Sequence, residues 1–326
     1  MLERCAGLVF GFLFRGSEAI RLHDESLGRQ LAPGYDWLWL HLALSDHRAQ
    51  RFVEGFLDIP AEARDLILSQ EDRIQLHLTP GGAWGIMPDI ERDFADETLG
   101  ACRMAFWLDG GRLITLRHHP LRAAESLRGA VERGEIPASA SEALALHQEH
   151  FFALIEHRLA TLGGELGRIE DEVLADRDHI GREVLGPLRR ELSRHAREFA
   201  ALRGAVYRAT TVRGAAMSSP LAEHLPAVHQ QAEDMERDAA ALSDRARLLY
   251  EEIGSRVADK TNRSLSALTV ISTLLLPPTF VAGAFGMNVG GIPWAQSAHG
   301  FWAVLSFCAV LVFTGWLVLR RFRILP

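Results

Sequence analysis

Apolar residues follow two spacings over the first 260 positions, and a third pattern replaces them afterwards. Short apolar runs at Leu8–Phe14, Trp37–Leu42, Arg73–Leu78, Ala83–Met87, Cys102–Leu108 and Arg112–His118 predict β-strands. Asp109-Gly110-Gly111 supplies a hairpin turn between the last two. Helical spacing over Arg48–Leu57, Ala61–Leu68, Pro120–Arg133 and Ser141–Leu162 places helices between and after these strands. The opening stretch Ala6–Phe14 is apolar enough for the core of a signal peptide, yet Glu3 precedes it and no A-x-A pattern follows. It reads as a first buried strand.

Further on, the spacing settles into fours and threes. Leu188, Leu192, His195, Phe199, Leu202 and Val206 form one seam, and Met235, Ala239, Leu242, Ala246, Leu249, Ile253 and Val257 form another. Gly204 and Gly214, with Ser218, Ser219 and Pro220, mark the turn between them. No breaker stands between Pro226 and Pro277-Pro278, so one helix is expected from about Ala227 to Phe285, about 85–90 Å long.

The third pattern is a run from Ser264 to Leu319 with no Asp, Glu, Lys or Arg, too long for a soluble core helix. Asn288, Gly290, Gly291, Pro293, Gln296 and His299 divide it into two apolar blocks, Ser264–Phe285 and Phe301–Leu319. At roughly 33 Å and 28 Å, both blocks are long enough to cross a membrane as a helical hairpin. The second block is uniformly apolar, as a lipid-facing helix requires. The first carries Ser264, Ser266, Thr269, Ser272, Thr273 and Thr279, with Pro277-Pro278 interrupting its hydrogen-bond ladder. One stripe at 3.6 residues per turn contains Asn262, Leu265, Thr269, Ser272, Leu276, Thr279 and Gly283. That mixture suits the wall of a narrow aqueous pore; the alternative is that the hydroxyls only bond carbonyls within their own helix. One hairpin cannot enclose a pore, so a pore requires several copies in a ring.

Charge orients this hairpin. The formal net charge of −7 resolves into −10 over the first 263 residues and +3 over the rest. Lys260 and Arg263 precede the first span, Arg320, Arg321 and Arg323 follow the second, and the connecting loop has no Lys or Arg. The positive-inside rule then puts both ends, and the large acidic body, in the cytoplasm. A multi-pass protein of the cell inner membrane is expected, in contact with the lipid bilayer and with no nucleic-acid partner.

Little else carries chemistry. Cys5, Cys102 and Cys308 are isolated, so neither a disulfide framework nor a CxxC metal site is encoded. His147 and His150 lie close enough on one predicted helix to share a metal, whereas His157 lies about 10 Å further along and cannot join them. His118-His119 reads as a solvated strand end, and His195 as a packing residue in an apolar seam. His299, in the outer loop, is placed to attract a metal or respond to pH, with an interfacial surface residue as the plainer reading. Acidic residues outnumber basic ones between Gln231 and Lys260, which concentrates cations near that helix or merely solvates its face. No nucleophile elbow, phosphate loop or paired metal ligands appear, so the chain reads as no enzyme and needs no cofactor. A membrane-anchored cytoplasmic scaffold or enzyme is the rival reading.

The stretch Leu276–Trp294, LPPTFVAGAFGMNVGGIPW, resembles the signature of the two-transmembrane GxN-type metal-ion transporters, the CorA family. Its GMN motif is Gly286, Met287 and Asn288, at the outer end of the penultimate span. Magnesium channels of that family usually have Tyr before the motif and an aromatic, an acidic residue and Met-Pro soon after. Phe285 and Val289-Gly290-Gly291-Ile292-Pro293 here look like the zinc-transporting ZntB branch.

The resemblance implies an α+β membrane protein, assembled as a funnel-shaped homopentamer that carries divalent cations, most simply Zn2+, with Mg2+ or a broader divalent range as the alternative. It also implies proton coupling, although no Asp, Glu, Lys or Arg lies within either span as a relay. Five copies of Asn288 would present amide oxygens to a hydrated cation at the mouth, with Gly286 and Gly290 permitting the tight backbone. Thr279 and Asn262 fall at pore-facing positions, with Leu265, Leu268, Leu276 and Gly283 between them. Magnesium channels often have Met where Leu265 and Leu276 stand here.

The expected division is a cytoplasmic α/β domain over residues 1–134 and a helical stalk over 135–263. A pore-lining span at 264–285, the outer loop at 286–300, a second span at 301–319 and a tail at 320–326 complete it.

Overall fold

The computed structural model describes residues 7–23, 34–55, 59–69, 71–91, 101–175, 182–211, 219–287, 292–293, 297 and 299–321. The chain divides into two compact units, Met1–Arg247 and Leu248–Pro326.

The first unit is built on a seven-stranded sheet. Its strands are β1 (Leu8–Arg15), β2 (Glu18–Leu22), β3 (Trp37–Ala43), β4 (Gln75–Thr79), β5 (Gly82–Ile90), β6 (Ala101–Asp109) and β7 (Arg112–Arg117), in the order β2-β1-β3-β7-β6-β5-β4. Every neighbouring pair is antiparallel except β3 and β7, where Leu38 to Ala43 run parallel to Arg112 to Arg117. The opening apolar stretch is thus an interior strand, hydrogen-bonded on both sides. β2 is an element the apolar pattern did not predict; its Glu18 and Arg21 are exposed, as on an edge.

Alternation sorts the side chains onto two faces. On one, Leu38, Leu40, Leu42, Trp84, Trp107, Ile114 and Leu116 pack against Ala49, Phe52 and Val53 of α1 (His47–Gly55) and Ala63 and Ile67 of α2 (Ala61–Leu68). On the other lies an aromatic row in which Phe14 stacks on Trp37 at 3.7 Å and Phe10 on His41 at 4.6 Å. Helices α3 (Arg122–Glu132), α4 (Ala140–Leu174) and α5 (Arg182–Thr211) follow, α4 packing across β3, β5, β6 and β7 and α5 against β4 and β5.

α4 starts at Ser139, whose hydroxyl accepts the Glu142 N–H at 3.1 Å while the Glu142 carboxylate accepts the Ala138 N–H at 2.6 Å. It continues past Leu162, where the sequence pattern ended it, because Leu159, Leu162, Leu166, Ile169 and Val173 keep one buried stripe across Gly163-Gly164. α6 (Leu225–Phe285) is one helix through Pro277 and Pro278, and α7 spans Gly300–Arg321. Within the first unit, ion pairs tie α4 to α5 (Arg158–Glu191), α5 to α6 (Arg203–Glu236) and α6 to α4 (Arg245–Glu170).

Candidate functional site

Ser266, Val270, Leu274, Pro278 and Val281 of α6 are half-buried at spacings of four and three, and so are Val304, Cys308, Leu311 and Gly315 of α7, with Leu319 buried. Facing stripes of that period are what two packed helices produce. The pairing is antiparallel: a Cβ added at Gly315 would stand 3.2 Å from Leu274, and the Cys308 sulfur lies 4.0 Å from the Pro278 carbonyl oxygen.

The residues of the expected pore stripe lie away from that seam. Asn262, Leu265, Leu268, Thr269, Ser272, Leu276, Thr279 and Gly283 are all exposed, Leu276 by 69%. Counting 100° per residue from Leu274, Leu265, Leu276 and Gly283 sit about 160–200° around the helix, opposite α7. No ionisable side chain enters this face. Its polarity comes from hydroxyls that donate one turn back, Thr269 to the Leu265 carbonyl at 2.8 Å and Thr279 to the Leu275 carbonyl at 2.7 Å. Intrahelical bonding and a polar wall are therefore compatible: with its hydrogen committed, each hydroxyl oxygen keeps acceptor capacity for something outside the helix. Pro277 and Pro278 lack N–H groups, so the Thr273 and Leu274 carbonyls lose their usual i+4 donors within an otherwise continuous helix.

α6 ends in a tight turn, where the Gly286 N–H donates to the Ala282 and Gly283 carbonyls at 2.9 and 3.1 Å. Met287 is exposed; Asn288, Gly290 and Gly291 lie outside the described residues. His299 is exposed just before α7. At the other end of α7, the Arg320 guanidinium lies 5.3 Å over the Trp316 ring, an arrangement suited to a membrane interface.

Among the described residues, no group of three His, Cys, Asp or Glu is placed to hold a metal ion. His147 is fully engaged: Nε2 donates to the Asp89 carboxylate at 2.8 Å, and Nδ1 accepts from Gln148 at 3.0 Å. Sharing a metal with His150 would require giving up one of these bonds. Burial, and then the neighbouring His147, hold the His150 imidazole below its usual range. His119 lies 3.3 Å from the Glu91 carboxylate in a cleft of about 460 Å3 that Cys102 and His118 also line, and burial pushes the Cys102 thiol up.

Sequence reasoning missed Asp89. Its carboxylate, 1% exposed, accepts the N–H groups of Ala123 and Ala124 at 2.9 and 3.3 Å, and so caps α3, whose own N-cap residue Leu121 has no side-chain acceptor. The available signal was a lone acidic residue ending an otherwise apolar strand.

Comparison with known proteins gives this architecture a family. The family described as CorA-like Mg2+ transporter protein matches residues 34–321. The divalent cation transporter CmaX of Pseudomonas aeruginosa is 26% identical over 97% of this chain and 96% of its own length. The zinc transport protein ZntB of Yersinia enterocolitica is 23% identical over 84% of this chain and 83% of its own. In fold, the full-length CmaX structure superposes with a TM-score of 0.80 at 24% identity, covering 97% of this chain and 98% of its own. The CorA magnesium transporter of Methanocaldococcus jannaschii superposes with a TM-score of 0.75 at 16% identity, covering 96% and 97%. The named relatives are transporters, which decides against the anchored enzyme, and the chain belongs to the CorA-like Mg2+ transporter protein family.

Proposed function

We propose that the chain carries divalent cations across the cell inner membrane as a ring of identical subunits, five by the family resemblance, with α6 facing the conduction path. The observation that carries this reading is the exposed face of α6 opposite α7, where oriented hydroxyl oxygens alternate with apolar side chains and no charge is present. A hard divalent ion sheds water reluctantly, so neutral oxygens that hold its hydration shell pass it on more readily than carboxylates would. In this arrangement Asn288, Gly286 and Met287 form the outer mouth, Thr279, Leu276, Gly283, Ser272, Leu268 and Leu265 line the path, and Asn262 stands at its inner end. Residues 1–134 and 135–263 are the cytoplasmic domain and stalk, both termini are cytoplasmic, and 286–300 face outward.

Zn2+ is the first cargo, on the Phe285 and Val289–Pro293 signature and the likeness to ZntB. Mg2+ or a broad divalent range is the second, favoured by the fuller coverage of the likeness to CmaX. Uptake of Zn2+ and Mg2+ into proteoliposomes, at equal concentration with and without a pH gradient, separates them. Zinc flux that rises with the proton gradient supports the first, magnesium flux indifferent to it supports the second, and no flux of either refutes transport. Asn288→Ala is expected to abolish selective flux and leave the oligomer assembled; unchanged ion preference would remove the mouth ring.

A further inference from the structure

His195 is buried in the middle of a line of charges, most of them half-buried, that the transport reading does not use. The ring is 1% exposed. Its Nε2 is 3.8 Å from Glu191 Oε1, one helical turn before it on α5, and its Nδ1 is 3.8 Å from Glu198 Oε2, one turn after. Each carboxylate is braced from another element. Glu191 accepts two bonds from Arg158 of α4, at 2.8 and 3.0 Å, and Glu198 accepts one from Arg103 of β6 at 3.3 Å. Arg103 also donates to the Asp72 carbonyl. The ring stacks on Phe199, which packs against Phe151 and Phe152 of α4. Two residues from His195, Ser193 meets Ser243 of α6 at 2.9 Å.

The charged groups around the ring are Glu191, Glu198 and the adjacent Arg194 from α5, Arg158 from α4 and Arg103 from β6; α6 contributes the Ser243 hydroxyl. The arrangement has a chemical consequence. A neutral imidazole has one N–H and one lone pair, so either tautomer would aim a lone pair at a carboxylate oxygen in a site shielded from water. Only the doubly protonated ring offers a donor to both sides. A metal ion does not fit, because the two carboxylates approach opposite edges of the ring and both are already held by arginines.

We infer that the pocket between Glu191 and Glu198 is a proton-binding site, occupied by the second proton of His195, and that its occupancy fastens β6, α4 and α5 together. Burial alone would lower the His195 pKa, but the carboxylates of Glu191 and Glu198, each 3.8 Å from a ring nitrogen, raise it above the ordinary imidazole value. With the folded-state pKa raised, the fastening is complete below about pH 6.5 and is lost as pH rises through the folded value. A rise in pH through the folded value therefore loosens the body of the protein, where ordinary surface ion pairs would not respond.

Hydrogen–deuterium exchange of the full-length protein in detergent, corrected for the intrinsic pH dependence of exchange, tests this over α5 and β6. Wild-type protection is expected to fall as pH rises above about 6.5, by at most tenfold per pH unit, the slope a single linked proton allows. His195→Gln should lack that step. Glu198→Gln, which keeps the imidazole and one carboxylate, should move the step about one pH unit lower, and decides the matter if His195→Gln does not fold. A flat wild-type profile, the same step in His195→Gln, or an unmoved step in Glu198→Gln would each overturn the inference.

Discussion

Replacing Asp89 by alanine tests the account of the first unit most directly. Its carboxylate accepts four hydrogen bonds, from Ile90 N–H at 2.6 Å, Ala123 N–H at 2.9 Å, Ala124 N–H at 3.3 Å and His147 Nε2 at 2.8 Å, all inside the protein. Truncation removes the acceptor of the Ile90 N–H, of two N–H groups at the start of α3 and of a buried imidazole, each loss costing about 1–3 kcal/mol but not additively. Breaking a buried charged contact from one side typically costs about 3–5 kcal/mol, and we expect Asp89→Ala to fall in that range. For a unit of this size that lowers the unfolding midpoint by roughly 10 °C. Four of the seven tryptophans, Trp37, Trp39, Trp84 and Trp107, lie in the sheet, so their fluorescence in the full-length protein reports the transition. In a His147→Leu background the same truncation should cost only the loss of the helix cap, about 1–2 kcal/mol. A midpoint within about 2 °C of wild type, or costs that simply add in the double variant, would refute the shared role of the carboxylate.

Two further outcomes follow from local geometry. A Cβ at Gly85 would lie 2.2 Å from the Gln75 carbonyl oxygen and 3.1 Å from the Leu76 Cα, so Gly85→Ala must displace β4. A loss of about 1–3 kcal/mol is expected, with faster amide exchange over Gln75–Thr79 than elsewhere in the sheet. Burial would raise the Glu191 carboxyl, but His195 and then Arg158 hold it at about 2, against 4.5 for the ordinary group. Because the folded value is the lower one, this stabilisation is intact above about pH 4.5 and disappears as pH falls toward 2, amounting to at most about 3 kcal/mol. An acid unfolding curve unchanged by Glu191→Gln would contradict it.

The strands and helices were legible where their pattern was local. Leu8–Phe14 and Trp37–Leu42 are nearly continuous apolar runs because both faces of the sheet are covered there, and the absence of breakers before Pro277 announced the long helix; the structure begins it at Leu225. β2 escaped because an edge strand buries too little to need alternation. α4 runs on past Leu162, where the expected helix ended, because the buried stripe beyond Gly163-Gly164 outweighs the roughly 1 kcal/mol that each glycine costs a helix. Asp89 and His147 were legible only singly. They are 58 positions apart, and nothing local says that a strand end and a helix face meet.

The order of the sheet also sets a timetable for synthesis. β2, β1 and β3 are complete by Ala43, but among the described residues they join the other four strands through the parallel pairing of β3 with β7, which ends at Arg117. A ribosome adding about 5–20 residues per second leaves that edge of β3 without its partner for roughly 4–15 s. Trp37, Trp39 and Leu40 stand on it, apolar and ready to pair with any other strand. The two apolar helices emerge later still, after residue 117 has allowed the sheet to close. The nascent chain is therefore most exposed to misassembly early, at a strand edge in the soluble unit, before either membrane span has been made.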